Sequence, residues 1–180
     1  MSDGRDWTFV IDGLCPECGY DGSKVAAPDV AARLRAAAAT YRSLLQRGDA
    51  VTRRPSPEAW SALEYGCHVR DVCSKGIERV TRMIRESDPE FLDWDEGETA
   101  LTERYAEQDP ATVAYRLAVE AGKLADLFDK VSGPAWHRPG RRSDGAVFTI
   151  DTLARYLLHD VVHHIHDIEI GYEKLTDRPT

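Results

Sequence analysis

The chain has 180 residues, a formal net charge of −8, and 30% charged and 42% hydrophobic residues. This length predicts one domain over residues 1–180 that can bury a sizeable core. The acidic balance argues against a nucleic-acid interface, since no basic stripe offsets it. The N-terminus lacks the apolar stretch of a signal peptide, and no segment approaches the roughly 20 apolar residues of a membrane helix. We therefore expect a cytoplasmic protein with neither nucleic acid nor membrane as partner.

Four helical segments are predicted, separated by breaks that contain Pro and Gly. In chain order they cover residues 27–48, 56–87, 109–132 and 149–171. Residues that can cap a helix N-terminus begin three of them, namely Ser56, Asp109 and Thr149. The sequence shows no strand-like alternation of useful length. Four helices in one compact domain predict an all-α helix bundle.

Two connections between these segments carry side chains suited to binding. The connection over residues 88–108 is long for a bundle, so it is expected to line a site. Within it, Trp94 is interpreted either as part of the mouth of that site or as a core plug. The last connection holds Arg141 and Arg142 in a positive loop. These arginines either grip a carboxylate of a thiol cofactor or substrate, or stay exposed without a ligand.

Histidines are concentrated in the last helical segment, where four of the six fall within residues 159–166. His159 and His163 are four residues apart, so they lie one turn apart on the same helix face. Two imidazoles at that spacing can bind one metal ion and leave coordination positions open. This face lies opposite the apolar face, so it either is solvated or lines a polar cavity. His164 points toward the edge of the apolar face and is interpreted as structural, while His68 is the candidate third ligand.

The segment Trp60-Ser61-Ala62-Leu63-Glu64-Tyr65-Gly66-Cys67-His68-Val69-Arg70-Asp71 resembles the second-helix motif of the DinB/YfiT-like superfamily. That motif has a Trp, then a Glu, then a metal-binding His. The pair His159 and His163 resembles the fourth-helix metal pair of the same superfamily. The resemblance spans residues 28–170 and implies a four-helix bundle that holds a divalent metal through His68, His159 and His163. Zinc is the expected metal, with nickel or iron as alternatives.

The resemblance also implies a class of reaction. Members of the superfamily include thiol-dependent isomerases and S-transferases such as maleylpyruvate isomerase, whose fourth-helix pair is Glu and His rather than two His. The Ala- and Arg-rich, Lys-poor composition is typical of a high-GC genome, in which the low-molecular-weight thiol would be mycothiol. We therefore expect a thiol-dependent transferase or isomerase acting on a small electrophilic substrate. Glu64 and Asp160 are the candidate catalytic residues, since carboxylates can orient ligand imidazoles.

Three other functions stay open on the sequence alone. A metal-bound hydroxide attacking a carbonyl would make the protein a metal-dependent hydrolase. A non-catalytic metal- or small-molecule-binding stress protein would use the same ligands without turnover. An interaction module would present its histidine face to a partner or to a second subunit. Exposed apolar strips on the helices would favour a homodimer.

An N-terminal extension over residues 1–26 contains Cys15-Pro16-Glu17-Cys18-Gly19. One interpretation is a redox pair, although the strand–helix context typical of such pairs is missing. Another is a packed loop that covers the mouth of the site and presents a thiol to it. A third is half of a zinc site, which would need histidines such as His137, His164 or His166.

Overall fold

Four long helices and one short helix build the protein in the structure, a computed structural model that describes residues 6–177. In chain order they are α1 (Val30–Leu44), α2 (Ala62–Arg85), α3 (Glu96–Thr102), α4 (Pro110–Phe128) and α5 (Ile150–Thr176). Helices α1 and α2 each pack against both α4 and α5, which closes a bundle around the apolar core. The predicted all-α bundle is confirmed, with α3 as a short addition in the long connection. Within residues 6–177, no helix is long and apolar enough to cross a membrane.

Helix α2 begins at a capping box and not at the predicted Ser56. The Ser61 hydroxyl accepts a hydrogen bond from the Glu64 N–H at 3.3 Å, and the Glu64 carboxylate accepts one from the Ser61 N–H at 2.9 Å. Ser56 instead opens an isolated turn, because Pro57 at the next position favours one. The start at Ser61 places His68 about two turns into α2.

The predicted caps of the last two long helices are confirmed. Asp109 and Thr149 each accept a hydrogen bond from a backbone N–H three residues further on, at 2.8 Å and 3.2 Å. Helix α5 continues past the predicted end at Gly171 to Thr176. The extra turn is anchored because the buried Tyr172 hydroxyl donates to a carbonyl oxygen at the end of α1, at 2.7 Å.

A small sheet that the sequence pattern did not predict lies beside the bundle. Its strands are β1 (Glu90–Phe91), β2 (Pro139–Arg142) and β3 (Val147–Thr149), with β2 parallel to β1 and antiparallel to β3. Strands of two to four residues are too short to show alternation. At Gly140 a Cβ atom would lie 2.6 Å from the Phe91 ring, so the two connections approach closely only because this residue is glycine. The sheet thereby holds the connection before α3 against the connection before α5.

The N-terminal segment, defined as residues 6–26, lies along α5. The Tyr20 hydroxyl donates to the Arg155 carbonyl oxygen at 2.8 Å, and the Arg155 guanidinium donates to a backbone carbonyl of the segment at 3.2 Å. His159 and His163 are consequently only 4% and 7% exposed. The α5 face opposite the bundle core is therefore buried as well, under a part of the chain that precedes the first helix.

Candidate metal centre

A cavity of about 810 Å³ opens where α2, α3 and α5 meet the N-terminal segment. This volume lies within the range of small-molecule binding sites. Its wall combines imidazoles, carboxylates and aromatic rings with a guanidinium. The lining includes Trp7, Glu17, Trp60, Tyr65, His68, Trp94, Glu96, Arg142, Tyr156, His159, Asp160, His163, His164 and Asp167.

Three of these side chains form what we call the cavity group: His68 from α2, with Asp160 and His164 from α5. Their candidate ligand atoms all lie within 4.8 Å of one another. The Asp160 Oδ1 atom is 3.4 Å from His68 Nε2 and 3.1 Å from His164 Nε2. The other ring nitrogen of His68, Nδ1, is buried and has no hydrogen-bond partner among residues 6–177. Two imidazoles and a carboxylate thus converge at one point of the cavity wall.

Asp160 and His164 of the cavity group form a charged pair. Burial opposes ionisation of Asp160, but hydrogen bonds from His164 and His68 hold the pKa of its carboxyl well below the usual value. Burial also opposes protonation of His164, yet its hydrogen bonds to Asp160 and Asp167 raise its pKa to about 9. The His164 Nδ1 donates to Asp167 Oδ2 at 2.8 Å. A divalent cation that displaces the His164 proton would find an ionised carboxylate between two imidazoles, which is a suitable donor set.

Four further side chains form a second cluster, which we call the N-terminal group: Cys15 and Cys18 from the N-terminal segment, with His159 and His163 from α5. Their candidate ligand atoms also lie within 4.8 Å of one another. The Cys15 Sγ atom is 3.7 Å from His163 Nδ1. Burial, together with the nearby His163, lowers the pKa of His159 to about 4, so its imidazole is neutral. Burial raises the pKa of the Cys18 thiol to about 11.

Each group takes two of its side chains from α5, and these two pairs overlap in the sequence. His159 and His163 are four residues apart, and so are Asp160 and His164. Neighbouring residues on a helix are rotated by about 100°, so the two pairs face different directions. The predicted ligand set is divided accordingly, with His68 in the cavity group and His159 and His163 in the N-terminal group. His164, interpreted from the sequence as structural, lies in the cavity group.

The two predicted catalytic carboxylates occupy different environments. Asp160 lies at the centre of the cavity group. Glu64 is 3% exposed and forms the capping box of α2, where the exposed Arg54 guanidinium donates to its carboxylate at 2.9 Å. Burial opposes ionisation of Glu64, but the hydrogen bonds from Arg54 and Ser61 lower its pKa. These contacts give Glu64 a role in the start of α2, outside the lining of the cavity.

The predicted cofactor-binding residues are also separated. Arg142 and Trp94 line the cavity. Arg142 is paired with Asp144 at 2.6 Å, and its guanidinium reaches the Tyr156 hydroxyl at 3.4 Å. Arg141 is exposed and forms an ion pair with Asp88 on the outer side of the sheet. The alternation along β2 therefore sends one arginine toward the cavity and the other toward solvent.

Several residues of the cavity lining were not predicted from the sequence. Glu96 follows the α3 N-cap, is half-buried in the cavity wall, and has a pKa raised by burial. Tyr156 and Trp7 line the cavity from α5 and from the N-terminal segment. The spacing of Asp160 and His164 was a usable signal, since it equals the spacing of the predicted pair. The sequence predicted that the connection over residues 88–108 lines a site, which the cavity lining agrees with, but it singled out neither Glu96 nor Trp7.

Comparisons with known proteins agree with this architecture. A sequence model of the DinB superfamily matches residues 33–168. Among solved structures, the chain is similar to YfiT from Bacillus subtilis, described as a probable metal-dependent hydrolase with an unusual four-helix bundle topology. The two share 16% sequence identity with a TM-score of 0.75, over 83% of this chain and 87% of that chain. At this identity the likeness concerns the fold. No match was found among curated protein sequences.

Proposed function

This chain belongs to the DinB superfamily, and from that premise we propose that it is a metal-dependent enzyme that acts on a small molecule. The divalent ion would be held by His68, Asp160 and His164. The observation that carries the proposal is the convergence of these three side chains, within 4.8 Å of one another, on a cavity of about 810 Å³. The buried Nδ1 atom of His68, unpaired within the described residues, also fits a site that takes a ligand. This set replaces the pair His159 and His163 that the sequence predicts as ligands beside His68.

The donor set favours hydrolysis. Two imidazoles and one carboxylate are the protein ligands of several hydrolytic zinc sites, which keep a further position open. When bound, the divalent ion supplies Lewis-acid chemistry, because it acidifies a nucleophile and polarises an electrophile. The Asp167 carboxylate accepts a hydrogen bond from His164 Nδ1 and so fixes the orientation of that imidazole. YfiT, which shares the fold, is itself described as a probable metal-dependent hydrolase.

The other lining residues have roles that follow from their chemistry. Glu96 is half-buried, and the raised pKa of its carboxyl suits a group that accepts a proton from the nucleophile and returns it to the leaving group. Arg142 offers a guanidinium to an anionic group of the substrate. Trp94 stacks on His68, with ring centroids 5.6 Å apart and an interplanar angle of 8°, which fixes the imidazole and keeps water from it.

A second candidate is thiol-dependent transfer or isomerisation, with a low-molecular-weight thiol such as mycothiol as cofactor. Asp160 and His164 favour it, because a carboxylate and an imidazole four residues apart correspond to the Glu and His pair of the maleylpyruvate isomerase branch. The cavity volume also leaves room for a thiol beside a substrate. In this reaction a thiol would replace water as the nucleophile, and Arg142 would bind a carboxylate of the thiol or the substrate.

The test compares His164→Ala with His166→Ala, since His166 lies on the same helix outside both groups. Each protein is loaded with zinc, nickel or iron and assayed with small esters and amides, and with electrophiles in the presence and absence of added thiol. We expect metal-dependent turnover in the wild type and in His166→Ala, and its loss in His164→Ala. Turnover without thiol identifies a hydrolase, and strict thiol dependence identifies a transferase or isomerase. Equal turnover by metal-free protein, or by His164→Ala, would overturn the proposal.

A further inference from the structure

We infer that Cys15, Cys18, His159 and His163 bind a zinc ion, at a site separate from the cavity group. Two thiols from the N-terminal segment and two imidazoles from α5 give the Cys₂His₂ ligand set of structural zinc sites. The two cysteines have the Cys-x-x-Cys spacing that places both sulfur atoms on one metal ion. All four tetrahedral positions would be filled by side chains, so this site is closed to substrate.

The distances fit a tetrahedral zinc ion. Zn–S bonds of about 2.3 Å and Zn–N bonds of about 2.0–2.1 Å separate a sulfur ligand from a nitrogen ligand by about 3.6 Å. Cys15 Sγ and His163 Nδ1 are 3.7 Å apart. All four candidate ligand atoms lie within 4.8 Å of one another. Small side-chain movements are therefore enough to close the coordination sphere.

The imidazoles supply independent evidence for a ligand. The Nε2 atom of His159 is buried and finds no hydrogen-bond partner in the part of the chain that the structure describes. Such a nitrogen is unfavourable unless it is hydrogen-bonded or coordinated. On His163, Nδ1 faces the Cys15 thiol while Nε2 lies 3.6 Å from carboxylate oxygens of both Glu17 and Asp167. Metal-binding imidazoles commonly coordinate through one nitrogen and donate a hydrogen bond to a carboxylate from the other.

The cysteine loop already has the conformation that such a site requires. The Gly19 N–H donates to the Cys15 carbonyl oxygen at 3.0 Å, and the Cys15 N–H donates to the Tyr20 carbonyl oxygen at 2.7 Å. Gly19 has a φ of 74°, which is strained for any residue with a Cβ atom. The resulting tight turn brings the Cys18 thiol back beside Cys15.

The inferred zinc would fasten the N-terminal segment to α5. That segment forms one wall of the cavity, because the Trp7 ring lies 5.4 Å from the His159 ring and 5.0 Å from the His163 ring, measured between centroids. Loss of the zinc would therefore free Trp7 and widen the cavity. The role we assign to this ion is structural, and it supports the shape of the neighbouring reaction site.

The first experiment is X-ray absorption at the zinc edge on the full-length wild-type protein, purified with zinc and dialysed against a weak chelator. We expect a zinc ion that resists dialysis, with two sulfur ligands at about 2.3 Å and two nitrogen ligands at about 2.0–2.1 Å. Substitution of the zinc by cobalt should give a thiolate-to-metal charge-transfer band. Retained zinc with nitrogen and oxygen ligands alone, or no retained zinc, would overturn the inference. This measurement needs no variant, so a folding failure cannot obscure it.

The second experiment measures zinc content and proteolysis in variants. The double variant Cys15→Ser/Cys18→Ser should lose the tightly held zinc and should be cleaved faster within residues 6–26, because the segment is no longer fastened. Cys73→Ala is the matched control, since Cys73 is a buried thiol of α2 and lies outside the N-terminal group. It should keep the zinc. His164→Ala should also keep this zinc while losing the cavity metal, so failure of either site is seen separately. Unchanged zinc content in the double variant contradicts the inference.

Discussion

Two faces of α5 carry candidate metal ligands, and they differ in what lies over them. The face of His159 and His163 is covered by the N-terminal segment, and the His159 side chain is 4% exposed. The face of Asp160 and His164 meets His68 from α2 and stays open to the cavity, with the Asp160 side chain 22% exposed. Protein metal sites with four side-chain ligands are mostly structural, whereas those with three keep a position for chemistry. On the two proposals made above, adjacent residues of one helix serve a structural zinc site and a reaction site.

The two groups also differ in their donors. Thiolates are soft ligands that select zinc, whereas imidazoles with a carboxylate accept zinc, iron or nickel. One residue connects them, because Asp167 Oδ2 lies 2.8 Å from His164 Nδ1 and 3.6 Å from His163 Nε2. Variants that change one group alone test whether the two groups bind metal independently. A variant at Asp167 tests whether this residue links them.

The largest effect is expected from Glu96→Gln, which removes the proposed proton acceptor from the cavity. We expect kcat to fall by about 10²–10⁴-fold, with the metal content of both groups unchanged. The pH–rate profile should also lose the limb that belongs to this carboxyl. Glu98→Gln is the matched control, since Glu98 is exposed on the same short helix. Activity within twofold of wild type in Glu96→Gln would exclude Glu96 as the general base.

Asp167→Asn is expected to weaken metal binding at both groups, each by about 10–100-fold. The substitution keeps the size of the side chain but removes the negative charge that orients the imidazoles of His163 and His164. Metal affinity is measured by competition with chromophoric chelators. X-ray absorption at the zinc edge and the thiolate-to-cobalt charge-transfer band distinguish the two sites. Glu169→Gln, exposed on α5, should change neither affinity. If only the cavity metal is weakened, Asp167 does not connect the two groups.

The sequence predicted the helices better than it predicted which α5 side chains lie beside His68. Helix caps at Asp109 and Thr149 depend on residues within one turn, so a local pattern was sufficient to find them. The choice between the pairs 159/163 and 160/164 depends on what faces each side of α5. A shift of one residue rotates a helical pair by about 100°, and both pairs have the same spacing.

Burial of the His159 face could not be predicted because it is a long-range effect. The Cys-x-x-Cys loop is about 140 residues away from this face in the sequence, and no periodicity links the two parts of the chain. A helical projection alone leaves open whether a face away from the bundle core is solvated or lines a cavity. The sequence shows both thiols and the histidine pair of α5, but only the fold brings Cys15 to His163.

The smallest effect is expected from Glu64→Gln, which should lower the stability of the fold and leave kcat unchanged. Gln can keep the capping box but loses the charge pair with Arg54, so we expect about 0.5–1.5 kcal/mol less stability at pH 7 and unchanged kcat. The folded-state pKa of Glu64 is lowered, so its contribution is complete above the unfolded pKa of about 4.5 and is lost as the pH falls through the folded value. Thermal unfolding of the variant and wild type should therefore converge as the pH falls below the folded-state pKa of Glu64. Glu58→Gln is the control, since Glu58 is exposed in the turn before α2. A large loss of kcat in Glu64→Gln, with intact metal content, would instead support Glu64 as a catalytic residue, as the sequence predicts.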